Sequence, residues 1–490
     1  MIKIADLIMI LMLLFLVYSL LLIQAYNNNS HVSTKSSHSL IDTIGIKQFF
    51  NCDIGDGIRV EIVSMLRSLD QSIMVAGGKG NKSPYKEYFE NNNGIHGNVK
   101  FPSKYNHNLF MHNSPNKNLY EDDIKKMFQF YKADDSLSSS DAIICSHPFS
   151  MCEAFMPYNR TIIWIASHRY SLGRCSVDSW KRLNEHVIES MKDNKNRPRN
   201  FIAAMSKYDV EYINYFTGLT PILIEPTGSY ALEIGKRDKS LKAEILLGST
   251  THLSTMHINS LMKSAKLNNY TVAHPHRLYG KYKLEQVKDH SAVIIIPQTV
   301  HGQTFVEFYA LGIPIFIPSI EFLISLSTLQ ERTTSGRENC LKAQDYDKDG
   351  DHIHIKTSEH IHHHAVHDKS HNISHITSTI YPERSTNSRH SENPESDDPD
   401  QLKYWLKFSN HYYWPHVTYF NSFEELFLLL KTVDLNKIRN LMIVENEKRL
   451  SRSINSWIDL VTQIEKGRVF PKDYEQSIQI LWNVDKLQIE

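Results

Sequence analysis

Residues 7–23 form an apolar run without a single charge, and the polar stretch YNNNSHVSTKSSHSL follows almost at once. At about 1.5 Å per residue such a run is close to the shortest that crosses a bilayer. It is longer than the apolar stretch of about 7–15 residues in a cleaved leader. Gln24-Ala25-Tyr26 is also a poor small-residue cleavage site. The pattern predicts a tail over 1–6, an uncleaved signal anchor over 7–25 and a polar stem over 26–45. Lys3 lies on the short side of the run, which places the N-terminus in the cytoplasm and the remainder of the chain in the lumen.

Beyond the stem, short apolar runs alternate with helical periodicity. SIMVA (72–76), DAIIC (141–145), TIIWIA (161–166) and FIAAMS (201–206) read as strands; the second and third are continuously apolar, as buried parallel strands are. Trp180, Leu183, Val187 and Met191 recur at helical spacing. Ser206 and Asp209 have capping-box spacing, YDVEYINYFT follows as a helix, Gly218 ends it, and PILIE (221–225) is the next strand. The rhythm restarts with AEILLGS (243–249) and continues through a helix at 258–267 and strands YTVAHP, SAVIIIP and IPIFIPS. Residues 333–400 break it: DYDKDGD, nine histidines between His352 and His375, then a Ser/Asn/Pro/Glu/Asp stretch, together predict a disordered insertion. DYDKDGD lacks the Glu that would complete a calcium loop, since Lys356 stands there. YWPHVTYF reads as a strand, Ser422 and Glu425 as a capping box, and 436–465 as a long amphipathic helix.

The pattern therefore predicts an α/β protein with two blocks, 46–230 and 240–332 plus 401–465, followed by a tail over 466–490. Fifty-four basic residues balance 54 acidic ones, so no net field draws the chain to nucleic acid. Five cysteines exclude a disulfide-framework miniprotein. Cys52, Cys145, Cys152 and Cys175 fall in the first block, where one or two disulfides fit an oxidising compartment, with pairing open. Asn28, Asn81, Asn159, Asn269 and Asn372 each begin an N-x-S/T sequon.

The stretch SAVIIIPQTVHGQTFVEFYALGIPIFIPS carries the most chemistry. A loop at the carboxyl end of a parallel strand, leading into a helix N-terminus, is where open α/β sheets hold phosphorylated ligands. Gly302 permits close backbone approach, and Glu307 is placed to accept ribose hydroxyls. Thr304-x-x-Glu307 is equally a capping box, and spacing leaves both readings open.

His301-Gly302, Glu307 opening a helix, and Gly312-x-Pro314 before an apolar strand resemble the donor-nucleotide region of GT-B glycosyltransferases. The resemblance implies two Rossmann-like domains facing a cleft, the first for the acceptor and the second for the donor. It implies that Glu307 binds the donor ribose while His301, Gly302, Gln303 and Thr304 line the phosphate or sugar. It further implies a nucleotide-sugar co-substrate and no metal or other cofactor. The chain lacks a second Glu about eight residues before Glu307, as retaining members often have, which leans towards inversion. Anchor, stem and lumenal region together resemble type II enzymes of the Golgi or endoplasmic reticulum, acting on a glycan, protein or lipid acceptor. An inverting transfer needs a base, and His147 and His168, each following a strand, are the candidates; Arg169 and Arg174 are candidates for holding an anionic group. Two other functions fit the sequence: an inactive GT-B-like lectin or assembly partner, and a metal-binding protein using the histidine tract.

Overall fold

The computed structural model describes residues 48–52, 56–69, 72–76, 99–100, 128–129, 140–146, 149–157, 160–167, 170–171, 177–192, 199–232, 242, 244–248, 255–280, 282–297, 299–326, 381–396 and 398–466. The expected tail, anchor and stem, the histidine tract and residues 467–490 lie outside them. No helix among the described residues is long and apolar enough to cross a membrane.

The first block is built on β1 (Gln48–Cys52), β2 (Ser72–Ala76), β3 (Val99–Lys100), β4 (Ala142–Cys145), β5 (Thr161–Ala166), β6 (Phe201–Ala204) and β7 (Ile222–Leu223). Their order is β3-β2-β1-β4-β5-β6-β7. Every pairing is parallel. Every residue of β4, β5 and β6 is buried, as strands covered on both faces must be. Helices α1 (Asp56–Ser68), α2 (Val177–Ser190) and α3 (Lys207–Thr217) belong to this block. The expected cap of α3 is present: the Ser206 side chain accepts from Asp209 N, and Gly218 closes the helix in the left-handed region.

A short helix α4 (Ser229–Leu232) follows β7 and leads to the second sheet. That sheet contains β8 (Ile245–Leu247), β9 (Val272–Ala273), β10 (Val293–Ile294), β11 (Ile315–Pro318) and β12 (Thr418–Phe420), in the order β12-β11-β10-β8-β9. All pairings are again parallel. Its helices are α5 (Thr255–Leu267), α6 (Pro275–Tyr279), α7 (Leu284–Val287), α8 (Gln303–Ala310), α9 (Ile320–Ser325), α10 (Pro399–Leu406), α11 (Asn410–Tyr413), α12 (Phe423–Thr432) and α13 (Leu435–Lys466). Residues from Gln48 onward form one compact unit. The architecture is mixed α/β with two parallel sheets, compatible with Rossmann-like folds.

Two expectations change. Tyr413 and Trp414, read as the start of a strand, end the helical turn α11, and only Thr418–Phe420 pairs with β11. The insertion ends earlier than composition suggests. Residues 381–396, expected to be disordered, pack on α3, and α10 starts at Pro399. Ser385 N donates to Tyr215 O at 2.9 Å and Arg389 Nε to Glu211 Oε2 at 2.6 Å. His390 lies between Glu211 Oε2 and the Tyr404 hydroxyl, 2.7 Å from each. A polar, Pro-containing composition reads as solvated, but here its polar groups are satisfied by a helix far away in sequence.

Helix α13 ties the two sheets together. Near its start Met442 joins the core against β10 and β11, and Ile443 lies over Gly312, whose added Cβ would come within 2.8 Å of it. Further along, Ser453 and Trp457 line a small cavity with Ile165, Met205 and Ile224 of the first block. Helix α10 straddles the blocks in the same way, sending Trp405 into the first core and Leu406 into the second.

Candidate functional site

In a doubly wound sheet the crevice for a ligand opens where strand order reverses, at the carboxyl ends of the strands. The first sheet reverses between β1 and β4, and the second between β8 and β10. Of the five residues in the donor motif, all follow β10 and so stand at the second reversal. Gly248, at the end of neighbouring β8, donates its N–H to Ile294 O at 2.8 Å and holds the two strand ends together.

Helix α8 is opened by Gly302, with no side-chain cap. Gly302 has φ −131°, which any residue adopts, and an added Cβ would be in ordinary contact, 3.5 Å from His411 Nε2. Neither backbone conformation nor crowding by the protein itself demands a glycine there. The first N–H groups of the helix have no carbonyl partner within it, and together they form a dipole end suited to an anion.

The capping-box alternative for Thr304 and Glu307 does not hold. Thr304 lies inside α8 as its second residue, and Glu307 is the fifth, beyond the first turn. The Glu307 carboxylate is engaged elsewhere: the hydroxyl of Tyr230, on α4, donates to its Oε1 at 2.8 Å. Gln303 Nε2 donates in turn to the Tyr230 hydroxyl at 2.6 Å, while Gln303 Oε1 is buried without a hydrogen-bond partner among the described residues. Glu307 is only 5% exposed. The Tyr282 hydroxyl bonds the Thr304 side chain; burial, and then the nearby Glu307 carboxylate, push that hydroxyl up to about 12. Tyr282 thus stays a protonated donor at physiological pH.

His301 is fully buried, its Nδ1 2.8 Å from Asn410 Nδ2. The hydroxyl of Thr299 donates to the His301 carbonyl, which shapes the loop before the helix. His411, one residue beyond Asn410, packs in a tilted contact against Phe305, with ring centroids 4.7 Å apart. Strand-and-helix reading passed over Asn410, His411 and Tyr230. Asn410 and His411 sat just before the presumed strand that starts at Tyr413, and Tyr230 sat in a presumed connection.

At the first reversal, Cys145 ends β4 and forms a disulfide with Cys152, resolving a pairing the sequence left open. Ser167, at the end of β5, donates to Ser146 O at 3.3 Å. His147, His168, Arg169 and Arg174 lie outside the described residues. Among the described residues no group of three His, Cys, Asp or Glu side chains is placed to hold a metal ion.

The connection between the blocks is held from both sides. Glu61 of α1 accepts from Thr227 N at 2.6 Å, from Thr227 Oγ1 at 2.9 Å and from Gly228 N at 2.9 Å. Burial pushes the Glu61 carboxyl up, against the opposing pull of those bonds. Asn446 Nδ2 of α13 donates to Thr227 O at 3.0 Å, and Glu225 pairs with Arg449 and Arg452.

No protein-family model matches the chain, and no curated protein matches it.

Proposed function

We propose that this chain is a glycosyltransferase of GT-B architecture. Its two Rossmann-like blocks face a cleft, and it moves a sugar from a nucleotide-sugar donor to a lumenal glycan, protein or lipid acceptor. One observation carries the reading. The His301–Glu307 stretch follows β10 at the reversal point of the second sheet and opens a helix with no side-chain cap. Glu307 is the candidate ribose acceptor, and the α8 N-terminus with His301, Gly302, Gln303 and Thr304 is the candidate for the diphosphate and sugar. His147 and His168 remain the candidate bases, with Arg169 and Arg174 as candidate anion holders and inversion as the expected outcome. No resident metal or cofactor is invoked. The disulfide Cys145–Cys152 and the apolar run at 7–23 support a type II anchor and a lumenal fold in the Golgi or endoplasmic reticulum.

The test is a thermal-shift screen of the detergent-solubilised full chain against UDP-, GDP- and CMP-sugars and their free nucleotides. A ligand at 100 times its Kd stabilises by about 2.7 kcal/mol. One nucleotide stabilising wild type but not Glu307→Ala is the expected result; a folded chain indifferent to all of them sinks the reading. The alternative, an inactive lectin or assembly partner, draws on the burial of Glu307 and its bond to Tyr230. Its signature is glycan binding without any nucleotide response.

A further inference from the structure

The Tyr230 hydroxyl donates to Glu307 and so links the interblock connection to the donor helix. Its position is determined by its surroundings. Two residues upstream, Gly228 adopts φ +60°, and an added Cβ would stand 2.9 Å from Ala310 Cβ and 3.3 Å from Val306 O. The connection therefore presses directly on α8, and a side chain at 228 would hold it away. Glu61 grips the N–H groups of Thr227 and Gly228, Asn446 grips the Thr227 carbonyl, and Ser229 Oγ lies 2.7 Å from Ser64 Oγ of α1. Three helices thus fix the residues just before Tyr230. Its hydroxyl then stands in a directed chain, accepting from Gln303 and donating to Glu307. One donated bond occupies one lone-pair direction at Oε1, whereas a carboxylate offers about four across its two oxygens. The Tyr230 bond takes one of these directions.

We propose that Tyr230 is a positioning residue of the nucleotide site: it holds Oε1 of Glu307 so that the carboxylate meets the ribose hydroxyls at a set angle. Through Glu61 and the 225–229 connection, the first block then sets the geometry of the donor pocket. The inference rests on the donor-nucleotide reading above. It differs from a block of the site by Tyr230, because positioning makes the tyrosine hydroxyl favourable to binding, whereas blocking makes its removal favourable.

The test is titration of UDP and GDP, and of their 2′,3′-dideoxy counterparts, into the full chain in detergent. Wild type, Tyr230→Phe, Glu307→Gln and the double variant are compared. Tyr230→Phe should weaken the ribonucleotide that wild type binds by about tenfold, with its thermal midpoint kept within a few degrees. The loss should vanish for the dideoxy probe and in the Glu307→Gln background, neither of which a merely structural tyrosine would produce. If Tyr230→Phe does not fold, Gln303→Met removes the donor to the tyrosine hydroxyl and should weaken binding in the same ribose-dependent way. Unchanged or tighter binding by Tyr230→Phe, or an equal loss for the dideoxy probe, overturns the inference while Glu307→Gln still reports the site. A wild type that binds neither of these nucleotides nor CMP overturns both readings together.

Discussion

Arg449 shows what single residues contribute at the join of the two blocks. It is 1% exposed, with its guanidinium 3.4 Å from the centroid of Trp414 and 4.8 Å from that of Tyr309. Its Nη1 donates to Asn446 Oδ1 at 3.1 Å, and Nε stands 3.6 Å from Glu225 Oε1. Burial pulls its pKa down, and Tyr309 and Glu225 oppose that pull. A planar cation set against two adjoining aromatic rings, with one partly shared carboxylate, fits arginine and not lysine. Arg449→Ala should lower stability by about 3 kcal/mol, because it leaves Glu225 short of a partner and Asn446 Oδ1 without its donor. The check is a urea midpoint shift at unchanged m-value, with no rescue by Arg449→Lys. This residue sits in an unremarked stretch of the amphipathic helix, since periodicity marks it only as a position on a helix face. That the face is covered by Trp414 and Tyr309 emerges only in the fold.

Among elements, α13 combines a readable pattern with an unreadable partner. Its span was expected at 436–465 and is Leu435–Lys466, because apolar residues recur at helical spacing and nothing breaks the run. Its two ends serve different sheets, with Met442 in the second core and Trp457 against Ile165 and Met205 of the first. Trp457→Ala should cost about 3–5 kcal/mol through the void left beneath the helix. Hydrogen exchange should quicken in β5 and β6 as well as in α13; quickening confined to the helix would show that it contributes nothing to the first sheet. The strands β1 and β3 went unread, since Phe49 and Phe50 are flanked by polar residues in β1 and β3 has only two residues. Yet β1 is the strand about which the first sheet reverses. The segment 381–396 failed in the opposite direction, its polar residues reading as solvent-exposed while Glu211, Tyr212 and Asn214 of α3 waited to bond them.

On the scale of the molecule, the proposed lumenal placement has a chemical test. Of the sequons, Asn269 is the one among the described residues; it is exposed in the turn after α5, at φ +59°. Its neighbour Thr271 completes the sequon and is exposed as well. Expressed in secretory cells, the chain should carry a glycan there, and Asn269→Gln should remove one step from the ladder that partial deglycosylation produces. An unchanged ladder would place this face away from the glycosylating compartment. The proposed orientation is consistent with Cys145–Cys152, whose partners are seven residues apart and whose closure lies at the end of β4.

The sequence by itself determined the alternation of strand and helix, the two α/β blocks, the caps of α3 and α12, and the loop-to-helix motif after β10. These follow from side-chain periodicity and from hydrogen bonds a few residues apart, so a short window contains their cause. Only the tertiary structure decided the strand orders, the place of β1, the disulfide, the seat of 381–396 on α3, and whether Glu307 caps its own helix. The Glu307 carboxylate meets a hydroxyl 77 residues away, and the bond from Arg389 to Glu211 spans 178. Such contacts form when packed sheets and helices bring remote segments within 3 Å or so, a distance that no local pattern encodes.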